Sequence, residues 1–174
     1  MLHVASRLLL FCQASKTASA VMRMLPPDVN LVFAGGYLCD PNAVVDKLIT
    51  LAGVFNLRSL SIDAISEKHY TPAGVAKLAQ VVQGAHQLEK LKIHAQKLHD
   101  TTFFALLPAI AQNTALKHLD LAGNEIDDDD LFHLISSLAM RGGIESLNLH
   151  GNAVGEHAGL FLSKGLKHYI RLRH

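Results

Sequence analysis

The residues that could do chemistry in this sequence are few in kind. Among 174 residues there are eleven histidines, two cysteines (Cys12 and Cys39) and one unbroken acidic run, Asp127 to Asp130. Converging histidines could hold zinc, which takes three or four ligands at about 2.0–2.3 Å. Carboxylates at alternate positions could hold calcium. A cysteine beside a histidine base could act as a nucleophile. None of these patterns is complete. The aspartates are consecutive and lack the D-x-D-x-D-G spacing of a calcium loop. Cys12 and Cys39 fall in apolar stretches, where a cysteine behaves as a small core residue. The reading is therefore of a chain with no catalytic residues, no cofactor and no metal.

Composition narrows the remaining classes. Sixteen Lys and Arg oppose fifteen Asp and Glu, for a net charge of +1. That balance disfavours electrostatic capture of nucleic acid or an acidic membrane, so neither is expected as a partner. The longest apolar run, Leu8 to Cys12, is about a quarter of the roughly 20 residues a spanning helix needs. Two cysteines are too few for a secreted disulfide scaffold, which points to a reducing, cytosol-like compartment.

The elements that position these residues follow from leucine spacing. Leucine makes up 29 of the 174 residues, and there is no tryptophan. Leu116, Leu119, Leu121, Asn124 and Ile126 are followed 28 residues later by Ile144, Leu147, Leu149, Asn152 and Val154. Both segments fit L-x-x-L-x-L-x-x-N-x-L. Upstream, Leu88, Leu91, Ile93 and Leu98 keep the frame, with Gln96 at the Asn position. Leu57, Leu60 and Ile62 do so with Ile65 there, and Leu31, Phe33 and Leu38 with Gly36. Frames start near 28, 57, 88, 116 and 144. Apolar residues two apart, such as Leu119 and Leu121, put one face of a strand inward. The Asn amide is suited to backbone groups left unpaired where the chain turns into the next layer.

Each frame is followed by a helical pattern. Phe103, Leu106, Leu107 and Ile110 are spaced i, i+3, i+4, i+7, as are Leu131, Leu134, Ile135 and Leu138. Val75, Leu78, Ala79 and Val82 recur three positions later in their repeat, which is three residues longer. Thr71-Pro72 and Asp100-Thr101-Thr102 read as helix starts. Asp127 to Asp130 lie in front of a helix beginning near Leu131, where carboxylates complement the helix dipole.

These motifs resemble the ribonuclease-inhibitor type of leucine-rich repeat, over about residues 28 to 172. The resemblance implies an α/β fold: a right-handed solenoid, a horseshoe segment with a parallel β-sheet on the concave side and α-helices on the convex side. Residues 1–27 then form an N-terminal capping strand and helix, residues 28–174 the repeat array, with a last edge strand near 168–172. The family implies a protein partner, in some members an enzyme inhibited by covering its active site. One related branch activates small GTPases. Small arrays of this type also occur among proteins that intracellular bacterial pathogens deliver into host cells, which implies a cytoplasmic setting, the producing cell's or the host's. A structural piece of a longer protein is a further reading.

With the frame assigned, the remaining strand residues form a surface. Three outward columns are expected: Ser59, Lys90, His118, Ser146; then Ser61, Lys92, Asp120, Asn148; then Asp63, His94, Ala122, His150. Neighbours in a column lie about 4.8 Å apart, so His94 and His150, two strands apart, are about 10 Å from each other and cannot share a zinc ion. The insertion Ser66 to Tyr70 is expected on one rim, with His69 and Tyr70 as an anchor. The candidate partner-binding set is Arg58, Ser61, Asp63, His69, Tyr70, Lys90, Lys92, His94, His118, Asp120, Ser146, Asn148 and His150.

Overall fold

A computed structural model describes residues 7–10, 28–34, 42, 45, 46, 48, 49, 56–63, 70–94, 97, 98, 100–160, 162 and 163. The elements in chain order are β1 (Arg7–Leu10), β2 (Asp28–Ala34), β3 (Asn56–Asp63), α1 (Pro72–Gly84), β4 (Lys90–His94), α2 (Asp100–Gln112), β5 (His118–Asp120), α3 (Asp128–Arg141) and β6 (Ser146–Asn148). The six strands form one sheet in sequence order, each parallel to its neighbours. Parallel neighbours need a crossover, and a helix supplies each of those from β3 to β6.

The register follows the leucine frame. Leu8, Leu31, Leu60, Leu91, Leu119 and Leu147 stand side by side, as do Leu10, Phe33, Ile62 and Ile93. One frame start differs. Leu57 pairs with Val29 rather than Asp28, and the register shifts between Val29 and Asn30. A one-residue irregularity brings an apolar residue to a position where the frame has an aspartate. The expected helix over Ala18 to Leu25 and the edge strand near 168–172 lie outside the described residues.

The core is one continuous layer between sheet and helices. Leu60, Ile62, Leu91, Ile93 and Leu119 enter it from the strands. Val75, Leu78, Val82, Phe103, Leu106, Ile110, Leu131, Leu134 and Leu138 enter from the helices. Each such side chain contributes roughly 1.5–3 kcal/mol on burial, before the entropy of ordering it. In the last described repeat Leu147, Leu149 and Val154 are only partly buried.

Helix starts are set by short polar side chains. Thr71 caps α1, its hydroxyl accepting from the Gly74 amide at 3.1 Å, with Pro72 in the first turn. Asp127 caps α3 by accepting from the Asp130 amide at 2.9 Å. The helix therefore begins at Asp128, three residues before the sequence places it, and Asp128 to Asp130 form its first turn. Likewise α2 begins at Asp100, so Thr101 and Thr102 lie inside it.

Between repeats the asparagines carry the polar bonding. The Asn124 amide, fully buried, donates to the Ile93 carbonyl at 2.7 Å and the Leu121 carbonyl at 2.9 Å. Asn152 donates to Leu121 and Leu149 carbonyls at 2.9 and 2.8 Å. Its side-chain oxygen accepts from the backbone amides of Asn124 and Ile126 at 2.8 and 3.1 Å. Gly123 and Gly151 precede these asparagines with φ of 68°, in the left-handed region that glycine enters at no steric cost.

Candidate functional site

Strand registry decides which side chains share the concave face. Ser59, Lys90, His118 and Ser146 are directly aligned across β3 to β6, and so are Ser61, Lys92, Asp120 and Asn148. The two columns expected from sequence are therefore present as rows of neighbouring side chains. They line a groove of about 830 Å³, whose margin Arg58, Asp63 and Glu89 complete.

The third column stops early. Asp63 and His94 are aligned, but β5 and β6 end at Asp120 and Asn148. Ala122 is buried in the turn after β5 rather than facing outward, and His150 is exposed on the turn after β6. The cause is local hydrogen bonding. The Asp120 carboxylate accepts from the Ala122 amide at 3.1 Å, and Asn148 accepts from the His150 amide at 3.0 Å. These side chains close a turn two residues on, which ends the strand.

Ion pairs on the face are local. Lys92 meets Asp63 at 2.7 Å, and His94 approaches the same carboxylate at 3.5 Å. The Ser61 hydroxyl donates to Asp63 at 3.3 Å. Arg58 stands 3.8 Å from Glu89. These groups are each about a third to a half exposed, so each pair is worth under about 1 kcal/mol.

The rim anchor requires correction. Tyr70 is not an exposed hot spot: only 5% of it is accessible and it belongs to the core. It directly precedes the Thr71 cap, the position from which an apolar residue packs back against the helix it leads into. Burial raises its phenol above the ordinary value of about 10. His69 lies outside the described residues.

The acidic run is absorbed by the fold. Asp127 caps α3, Asp130 is buried, and Asp128 accepts from the Gly155 amide of the next repeat at 2.7 Å. Among the described residues no three His, Cys, Asp or Glu gather as metal ligands. Among them, too, no helix is long and apolar enough to cross a membrane.

Two features went unread in the sequence. Asn113, buried after α2, donates to the Val82 and Ala85 carbonyls at 2.8 and 3.0 Å, tying two helix ends together. On the helices, Phe104, Phe132 and Leu160 are 39%, 45% and 59% exposed, large values for apolar side chains. His133 meets both phenylalanine rings edge-on, at 4.9 and 5.5 Å. The 28-residue spacing of 104, 132 and 160 was the available signal.

The parallel sheet in sequence order, the helix on each described return and the asparagine ladder define an α/β leucine-rich-repeat solenoid. No family model matches the chain, and no curated protein matches it. Among solved structures it is similar to internalin C2 from Listeria monocytogenes, at 18% identity and a TM-score of 0.45. That match covers 83% of this chain and 62% of the other. A second Listeria monocytogenes internalin matches at 13% identity and a TM-score of 0.33, covering 76% and 51%. The chain thus spans between half and two thirds of those two proteins.

Proposed function

We propose that this chain is a non-catalytic protein-interaction module that holds a folded protein partner in the groove on its concave face. The observation that carries this reading is the alignment of outward polar side chains from four adjacent strands across that one groove. A standard interface uses about 800 Å² and 20–30 residues per partner, which these strands and their turns can supply. An enzyme docked by the mouth of its active site would be inhibited by occlusion. The repeat is of the ribonuclease-inhibitor type, a reading supported by the 28-residue spacing and a full helix on the described returns. Residues 1–27 serve as its N-terminal cap, and the setting is cytosol-like.

Site-specific photocrosslinking tests the surface. A crosslinker at Ser61 or Asn148, on the groove, should capture the partner; one at Gln80 or Ser136, on exposed helix faces, should not. Capture only from the helices overturns the assignment. With the captured partner, Lys92→Glu combined with His118→Glu should weaken affinity at least tenfold.

A further inference from the structure

The groove is not uniform in how its polar groups are engaged. On its margins and in the second row each carboxylate already has at least one partner. Glu89 stands opposite Arg58, and Asp63 takes Lys92, His94 and the Ser61 hydroxyl. Asp120 and Asn148 each accept from a backbone amide two residues on. The row Ser59, Lys90, His118, Ser146 differs. Among the described residues none of these four side chains makes a hydrogen bond or ion pair. Each carries a donor: two hydroxyls, an ammonium and an imidazole N–H. Lys90 and His118 are adjacent at the centre, and the serines flank them.

Four unengaged donors in one row, the Lys90 ammonium among them, suit an acceptor that brings negative charge. The row spans about 14 Å at three strand spacings. That is wider than a small carboxylate bridges, and Lys90 and Ser146 are exposed, unlike the enclosed walls of a small-molecule pocket. Resting on the reading of this face as the docking surface, we propose that the row receives an aspartate or glutamate side chain of the protein partner. Its carboxylate lies between Lys90 and His118, and neighbouring polar groups of the partner meet Ser59 and Ser146.

The probe is a capped Ala-Glu-Ala peptide, titrated to 50 mM against the isotope-labelled full chain and followed by NMR. Its Ala-Gln-Ala counterpart is the control. The glutamate peptide should shift the His118 imidazole and the Lys90 and His118 amides, and the glutamine peptide should not. Lys90→Gln should abolish the shifts, while Lys117→Gln, an exposed lysine off the groove, should retain them. Absent shifts, equal shifts from both peptides, or shifts centred on Lys92 overturn the assignment. With the partner captured from Asn148, Lys90→Gln should weaken affinity at least tenfold. Capture with unchanged affinity sinks the carboxylate site and leaves the module reading standing; capture from the helices alone sinks the module reading itself.

Discussion

The asparagine ladder makes a quantitative prediction through Asn124→Ala. The Asn124 amide donates to the carbonyls of Ile93, Leu121 and Ala122 at 2.7, 2.9 and 3.3 Å. After truncation Leu121 keeps a donor, the Asn152 amide at 2.9 Å, whereas the Ile93 carbonyl loses this one. A buried acceptor left unmet costs about 1–3 kcal/mol, and each further lost bond about 0.5–1.5 kcal/mol. The expected loss is about 2–6 kcal/mol, a large part of the roughly 5–15 kcal/mol that holds a domain folded. Asn152→Ala should cost less, about 1–2 kcal/mol, because Asn152 is half-buried and water can replace its amide. Asn124→Asp keeps the size but sets a carboxylate against carbonyl oxygens, so it should destabilise at least as much as alanine. Urea unfolding followed by far-UV circular dichroism, with m-values compared, measures all three. A loss below about 1 kcal/mol for Asn124→Ala, or a larger loss for Asn152→Ala, would refute the reasoning.

Three further outcomes are expected. Asp127→Ala removes the cap of α3 and should cost about 1 kcal/mol, read as a lower thermal midpoint. Tyr70→Phe should be neutral or slightly stabilising, since the buried hydroxyl has no hydrogen-bond partner among the described residues. Because burial raises the Tyr70 phenol, the unfolded chain releases that proton first, so stability should fall as pH rises above about 10. The Tyr70→Phe variant should lack that component in urea titrations between pH 9 and 11; an identical slope in both proteins counts against it. Pro108→Ala should stabilise the fold by about 1–3 kcal/mol, because Pro108 sits inside α2, where it cannot donate to the preceding turn. A drop in denaturation midpoint would contradict this.

The strands and helices were legible because leucine, the frame and the helical spacing all agree. Leu60, Leu91, Leu119 and Leu147 share a register because they share a frame position. The first two surface columns followed from that register. The third did not, because Asp120 and Asn148 turn the chain with their own side chains, a local effect that a strand pattern does not carry. Tyr70 was misplaced for a related reason. The three-residue excess of its repeat moves the last frame position to Tyr70, the place that Leu98 and Ile126 occupy in later repeats. Counted that way it is a core residue. Asn113 gave no signal, since a single polar residue after a helix has no spacing to read.

The ladder has a further consequence for how such a molecule can change size. Each of the amides of Asn113, Asn124 and Asn152 reaches back one repeat, to carbonyls 28 to 31 residues earlier. A copy of residues 116–143 inserted before Ile144 would offer Asn152 the same carbonyl and receive from it the same oxygen. The bonds of the Asn124 and Asn152 type at the new junction would be met by residues already present. The groove can therefore be widened in steps of one strand, about 4.8 Å each, by duplicating a single stretch of sequence. Its span is a quantity that tandem duplication can set in whole units, without redesigning either neighbour.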